Sequence, residues 1–203
     1  VKAWLGLVVF LAVAPARAQS LEADHDYDDG DGWGFGVTPW LHLGPSWVST
    51  TPNPAPDAVR HGMTFEATLQ TLVTWKRLGL GVVAGYFGSG GSLEGTDDRV
   101  KLAGLQVLPI LMLNVVERLS IYGKAGYLFL GAINDVDVTV GAARAGGGLN
   151  FVLVRMAASD IAISLDVTHT WLTSAGEGAP RNTLDITSGQ LGVSFTFDPA
   201  ALE

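Results

Sequence analysis

Four charged side chains each stand alone in a largely uncharged stretch: Glu66, Lys124, Arg144 and Asp166. Two acids and two bases can neutralise one another. Lys124 with Asp166 and Glu66 with Arg144 are the expected pairs. Pairing matters only if these groups leave water, because a buried charge must be paired or hydrogen-bonded to be tolerated. Gln70, Gln106 and Gln190, with His42, are the uncharged polar residues that would join them. A second chemistry, cation binding, is suggested by SLEADHDYDDGDGWG, where Asp24, Asp26, Asp28, Asp29 and Asp31 resemble a calcium loop. The spacing fails: the turn glycine should fall at Asp29 and the closing glutamate at Phe35. This stretch reads as a solvated acidic tail, and no metal or other cofactor is expected. There are no cysteines, which excludes disulfides and cysteine metal sites.

The elements that must position the four charges are strands. Eight segments alternate apolar with polar or small residues: 33–43, 64–75, 78–88, 99–113, 118–130, 141–154, 161–172 and 185–197. In the second, Phe65, Ala67, Leu69, Thr71, Val73 and Trp75 oppose Thr64, Glu66, Thr68, Gln70, Leu72 and Thr74. That is the period of a strand with two unlike faces. Each segment is about long enough to cross a bilayer as a tilted strand. Connections at Lys76-Arg77, Asn114 to Glu117 and Arg155 to Asp160 are short. Those at 44–63, 89–98, 131–140 and 173–184 are longer and rich in Gly, Pro, Ser, Asp and Asn. The pattern predicts an all-β fold, an eight-stranded antiparallel up-and-down transmembrane β-barrel, with both termini on the periplasmic side.

The two faces carry different residues. On the apolar face, Trp33, Phe35, Trp75, Phe151, Phe195 and Phe197 fall near the short-turn end. Phe65, Tyr86, Tyr127, Phe129 and Trp171 fall near the long-loop end, with aliphatic residues between. Two aromatic girdles around an aliphatic band mark a face turned to lipid. On the other face Gln70, Gln106, Lys124, Asp166 and Gln190 lie at a height on the order of 15 Å, taking ~3.4 Å per residue and a tilt near 45°. Glu66 and Arg144 lie slightly higher. An eight-stranded interior is just wide enough for side chains to fill. Inward Gly79, Gly81, Gly85, Gly126, Gly146 and Gly148 leave room for the longer ones. Pro39 and Pro109 interrupt the pattern, since each removes a ladder donor, and a bulge or register break is expected at Pro109.

Val1 to Ala18 holds Lys2, an apolar run and Ala16-x-Ala18, so it reads as a signal peptide cleaved before Gln19. Residues 19–32 are then an acidic periplasmic tail, 33–197 the barrel, and 198–203 a C-terminal tail. Net charge falls from −8 to −10 once Lys2 and Arg17 leave. Such an acidic chain is a poor nucleic-acid binder.

Two passages carry a family resemblance. VLPILMLNVVERLSIYGKAGYLFLGA, with Tyr122-Gly123-Lys124-Ala125-Gly126-Tyr127, resembles the strand–turn–strand of OmpA-like and OmpW-like small outer-membrane barrels. GAARAGGGLNFVLVRMAASDIAISLDVTHTW resembles the Gly-rich strand, turn and polar-lined strand that follow. The final strand also resembles the family's C-terminal insertion signal, with Gln190, Gly192, Phe195 and Phe197 in its four places. The resemblance implies an exported protein of the bacterial outer membrane. It implies contact with lipid and lipopolysaccharide, and installation by periplasmic chaperones and the barrel-assembly machinery. The chain stops soon after the last strand, so the peptidoglycan-binding domain of full OmpA-type proteins is not expected.

The function expected is non-enzymatic: a plugged barrel with a structural or surface-interaction role, its loop ligand unspecified. Loop 44–63, with Pro52, Pro54 and Pro56, is the best contact surface. A narrow pore for small solutes is the alternative. Less favoured are a soluble lipocalin-like binder and a lipid-modifying enzyme of the lipid A deacylase or palmitoyltransferase kind. The deacylase needs a His and a Ser two apart near the outer rim of the lipid face. Two residues beyond His169 is Trp171, His42 is followed by Gly44, and His61 is a loop residue.

Overall fold

The computed structural model describes residues 33–51, 60–92, 99–133, 136–156, 159–174 and 182–197. The expected signal segment at 1–18, the acidic stretch and the Pro52–Pro56 segment lie outside them. Eight strands follow one another: β1 (Trp33–Thr51), β2 (Arg60–Trp75), β3 (Leu78–Ser92), β4 (Arg99–Val116), β5 (Leu119–Ile133), β6 (Val136–Met156), β7 (Ser159–Ser174) and β8 (Asn182–Phe197). Each pairs antiparallel with its neighbour, and β1 pairs with β8 to close the barrel. Closure removes every open edge. All-β architecture and up-and-down connectivity are thus features of the structure.

The strands run past the limits set by composition. β1 continues through Thr51 and β2 starts at Arg60, so residues 44–51 and 60–63 belong to wall rather than loop. The 131–140 connection is corrected most. β5 extends to Ile133 and β6 begins at Val136, leaving two residues between them. VDVTV keeps strict alternation there, and a register shift between Leu130 and Ala132 absorbs the glycine of Gly131. Composition suggested a loop; the continuing β-branched alternation outweighed it.

Prolines are accommodated differently from the expectation. No register break occurs at Pro109: Val107↔Tyr127 and Ile110↔Lys124 keep one register on either side of it. The shifts in that ladder fall instead between Ala103 and Gly104 and between Asn114 and Val116, near the strand ends. In an antiparallel strand a residue directs its N–H and C=O to the same neighbour. Pro109 therefore drops its pairing toward β5 while remaining opposite Val82 on β3. Pro39 behaves alike, opposite Leu69 on β2 while the β1–β8 ladder starts at Trp40.

The turn between β2 and β3 is two residues, and Lys76 adopts φ 53° there. A side chain in that region costs about 1–2 kcal/mol, which Asn tolerates better than most residues. Lys76→Val is expected to lower unfolding stability by about 1 kcal/mol while Lys76→Asn leaves it nearly unchanged. Urea unfolding in detergent micelles measures both. Equal losses would mean that the turn's backbone does not select the residue.

Candidate functional site in the barrel interior

Alternation of Cβ direction sends even-numbered residues of β1, β2, β7 and β8 inward, and there they meet those of β4, β5 and β6. Glu66, Gln70, Gln106, Lys124, Arg144, Asp166 and Gln190 all lie inside, each no more than 4% exposed. Glu66 is the centre of the group. Its Oε1 accepts from Arg144 Nη2 and from Gln190 Nε2 at 2.8 Å. Its Oε2 accepts from Gln106 Nε2 at 2.7 Å and lies 4.0 Å from Lys124 Nζ. Lys124 Nζ is 2.7 Å from Asp166 Oδ2. So Lys124 stands between the two acids, a link that face assignment alone does not reveal.

Hydroxyl groups complete the layer, and residue spacing had not singled them out. Arg144 donates from Nη1 to Thr170 Oγ1 at 2.9 Å and from Nη2 to Thr168 Oγ1 at 2.8 Å. Thr168 Oγ1 meets Ser188 Oγ at 2.7 Å. Tyr122 donates to Asp166 Oδ2 at 2.8 Å, and His42 Nε2 lies 2.9 Å from Ser164 Oγ. Their signal was present in the parity shared with Lys124, Asp166 and Gln190.

Glycines stand directly across the strand from the long polar side chains. Gly85 opposes Gln106, Gly126 opposes Arg144, Gly146 opposes Lys124, and Gly148 opposes Asp166. A Cβ on Gly148 would come within 2.8 Å of Tyr122 Oη. Gly192, opposite both His42 and Ser164, leaves the space their side chains fill; a Cβ there would collide with both. Gly79 and Gly81 do something else. They lie opposite Met112 and Ile110, and a Cβ on Gly79 would strike Leu72, so they serve apolar packing.

The charged layer is enclosed above and below. Toward the turns lie Trp40, Leu72, Val83, Leu108, Ile110, Met112 and Tyr122. Toward the loops lie Val48, Phe87, Leu102, Leu128, Leu130, Ala142, Leu172 and Ile186. Trp40 packs edge-on to Tyr122 at 5.1 Å, and the Arg144 guanidinium sits 4.5 Å from the Phe87 ring centre. Among the described residues, two apolar clusters thus bracket the charged layer along the barrel.

The outer wall is the reverse. Leu43, Leu105, Val107, Leu165, Val167 and Leu191 face outward and are exposed, Leu165 by 59% and Val167 by 60%. Phe35, Trp75, Phe151 and Phe195 are exposed toward the turn end, and Trp47, Phe65, Tyr86, Tyr127, Phe129 and Trp171 toward the loop end. The side chains of Trp33 and Phe197 lie outside the described ones. His169 is also outward, and its Nδ1 is 2.8 Å from Thr187 Oγ1 on the next strand.

No protein-family model and no curated protein sequence matches the chain. Among solved structures it is similar to the Neisserial surface protein A, with TM-score 0.46 and 10% identity, over 82% of this chain and 99% of that one. It is similar to Ail, the attachment invasion locus protein of Yersinia pestis, with TM-score 0.43 and 13% identity, over 80% and 99%. It is also similar to the outer membrane protein AlkL, with TM-score 0.42 and 13% identity, over 87% and 98%.

Proposed function

We infer that the chain is a bacterial outer-membrane β-barrel that crosses the bilayer with its eight strands and conducts nothing through its interior. The observation that supports this reading is the inversion of the wall. Leu and Val are exposed outside, while Glu66, Lys124, Arg144 and Asp166 are buried inside. In water that arrangement wastes apolar burial and spends desolvation on four charges. In lipid it is the favoured one, because hydrocarbon solvates the outer band and the closed ladder pairs the backbone of each strand with both neighbours, save at local gaps such as Pro39 and Pro109. A lipocalin-like soluble barrel would place the aliphatic residues inside around a ligand.

Residues 1–18 serve as the export signal, 19–32 as an acidic periplasmic tail, 33–197 as the barrel and 198–203 as a tail. The acyl-chain region and lipopolysaccharide are its surroundings. Chaperones and the barrel-assembly machinery install it, reading Gln190, Gly192, Phe195 and Phe197. Its role is structural or surface-interacting and not enzymatic, exercised by the connections at the loop end. Unboiled gel migration that changes on heating, with solubility only in detergent, is the expected behaviour. A protein that stays monomeric and soluble without detergent would overturn the membrane reading.

The sealed interior carries its own expectation. In planar bilayers the purified protein shows no reproducible stepwise openings, and Asp166→Ala does not create them, because the apolar plugs remain. Discrete openings in the unaltered protein would favour the narrow-pore alternative.

A further inference from the structure

We propose that the loop-end rim of β1, β7 and β8 is a binding site for a lipid headgroup carrying an ammonium beside a phosphate, built from Trp47, His169, Trp171, Asp185 and Thr187. It rests on the membrane reading above. Register places the five side chains together on the outer wall. Thr187 lies between Trp47 and His169 in one row, and Asp185 is beside Trp171 in the next. Asp185 and Phe195 are ten residues apart on β8. At ~3.4 Å per residue and a tilt near 45°, that separation is about 24 Å along the membrane normal, the height of the apolar band. The patch therefore sits where outer-leaflet headgroups begin.

Each part of such a headgroup finds a partner. Asp185 is a carboxylate set on the outer wall among Trp47, Trp171 and Thr187, and strands β1, β7 and β8 contain no Lys or Arg. Trp47 and Trp171 are exposed, 42% and 45%, and flank it. A carboxylate beside indole faces suits an ammonium, which gains both Coulomb and cation–π attraction. His169 packs on Trp171, ring centres 4.4 Å apart, and is hydrogen-bonded to Thr187. Whichever of the two donates in that bond, one N–H or O–H of the pair stays free to donate to a phosphate oxygen. Ala143 and Ala145, across from Trp171 and His169 on β6, leave the flank open.

The test is native mass spectrometry of the full chain released from detergent micelles doped with phosphatidylethanolamine or, separately, phosphatidylglycerol. Phosphatidylethanolamine is expected to be retained about fivefold better, and Asp185→Asn and Trp171→Leu each to reduce that preference to near parity. Heat-modifiable migration of each variant shows that its barrel is formed. Equal retention of the two lipids by the unaltered protein, or a preference that Asp185→Asn leaves intact, would overturn the proposal. So would a dimer lost in Trp47→Leu with no lipid retained, which would assign the patch to a second copy. A protein soluble without detergent would instead defeat the membrane reading itself.

Discussion

Glu66→Leu should cost about 3–5 kcal/mol of unfolding free energy, because it breaks a buried ion pair from one side. Glu66 accepts from Arg144, Gln106 and Gln190 and lies near Lys124. Removing it leaves Arg144 with the Thr168 and Thr170 hydroxyls and the Phe87 ring among the described residues, and gives the buried layer a net positive charge. The cost is mainly the stranded charge rather than the lost attraction. The double variant Glu66→Leu/Arg144→Met restores neutrality, so it should lose much less than the sum of the two single changes, with a coupling of about 2 kcal/mol or more. Urea unfolding of the protein folded in micelles, carried through the full cycle, measures this. Additive losses would show that Glu66 and Arg144 do not act as a pair. A Glu66→Leu cost below about 1 kcal/mol would show that the interior is hydrated enough to tolerate the charge.

Leu165→Arg tests the other side of the wall. Leu165 is outward, 59% exposed, and opposite Leu149 and Leu191, with no polar neighbour in its row. In a bilayer this mid-height position should lose about 2–4 kcal/mol, whereas Ala143→Arg, at the level of Trp171, should lose only about 0–1 kcal/mol. The contrast has a definite alternative. If the barrel stood in water, an arginine at an exposed site would change stability by no more than about 0.5 kcal/mol at either position. Equilibrium folding into lipid vesicles, compared for the two variants, decides between them. A depth-independent, near-zero effect would remove the lipid-facing reading while leaving the barrel fold untouched.

These two experiments address one feature from its two sides, and the sequence disclosed the sides unequally. The outward face was readable because aromatic and aliphatic residues recur on every second position. The inward face was readable as polar, but its layering was not. Leu108, Ile110, Leu128 and Leu130 share parity with Lys124 and Gln106, so along each strand they look like interruptions of a polar face. They become two plugs only when neighbouring strands stack at matching heights. The bulge expected at Pro109 shows the same gap. A missing donor is a local fact, but whether it shifts the register depends on which neighbour that donor faced.

What the chain decided by itself was therefore everything that follows from a two-residue period: that it forms strands, about where they lie, and which side chains share a wall. Those follow from Cβ geometry within each strand. The partners inside the barrel were decided by the tertiary structure. Glu66 and Gln190 are separated by 124 residues and Glu66 and Arg144 by 78, and they meet because closure through β1 and β8 brings their heights together. Strand tilt and stagger set those heights, and both belong to the closed sheet rather than to any one strand.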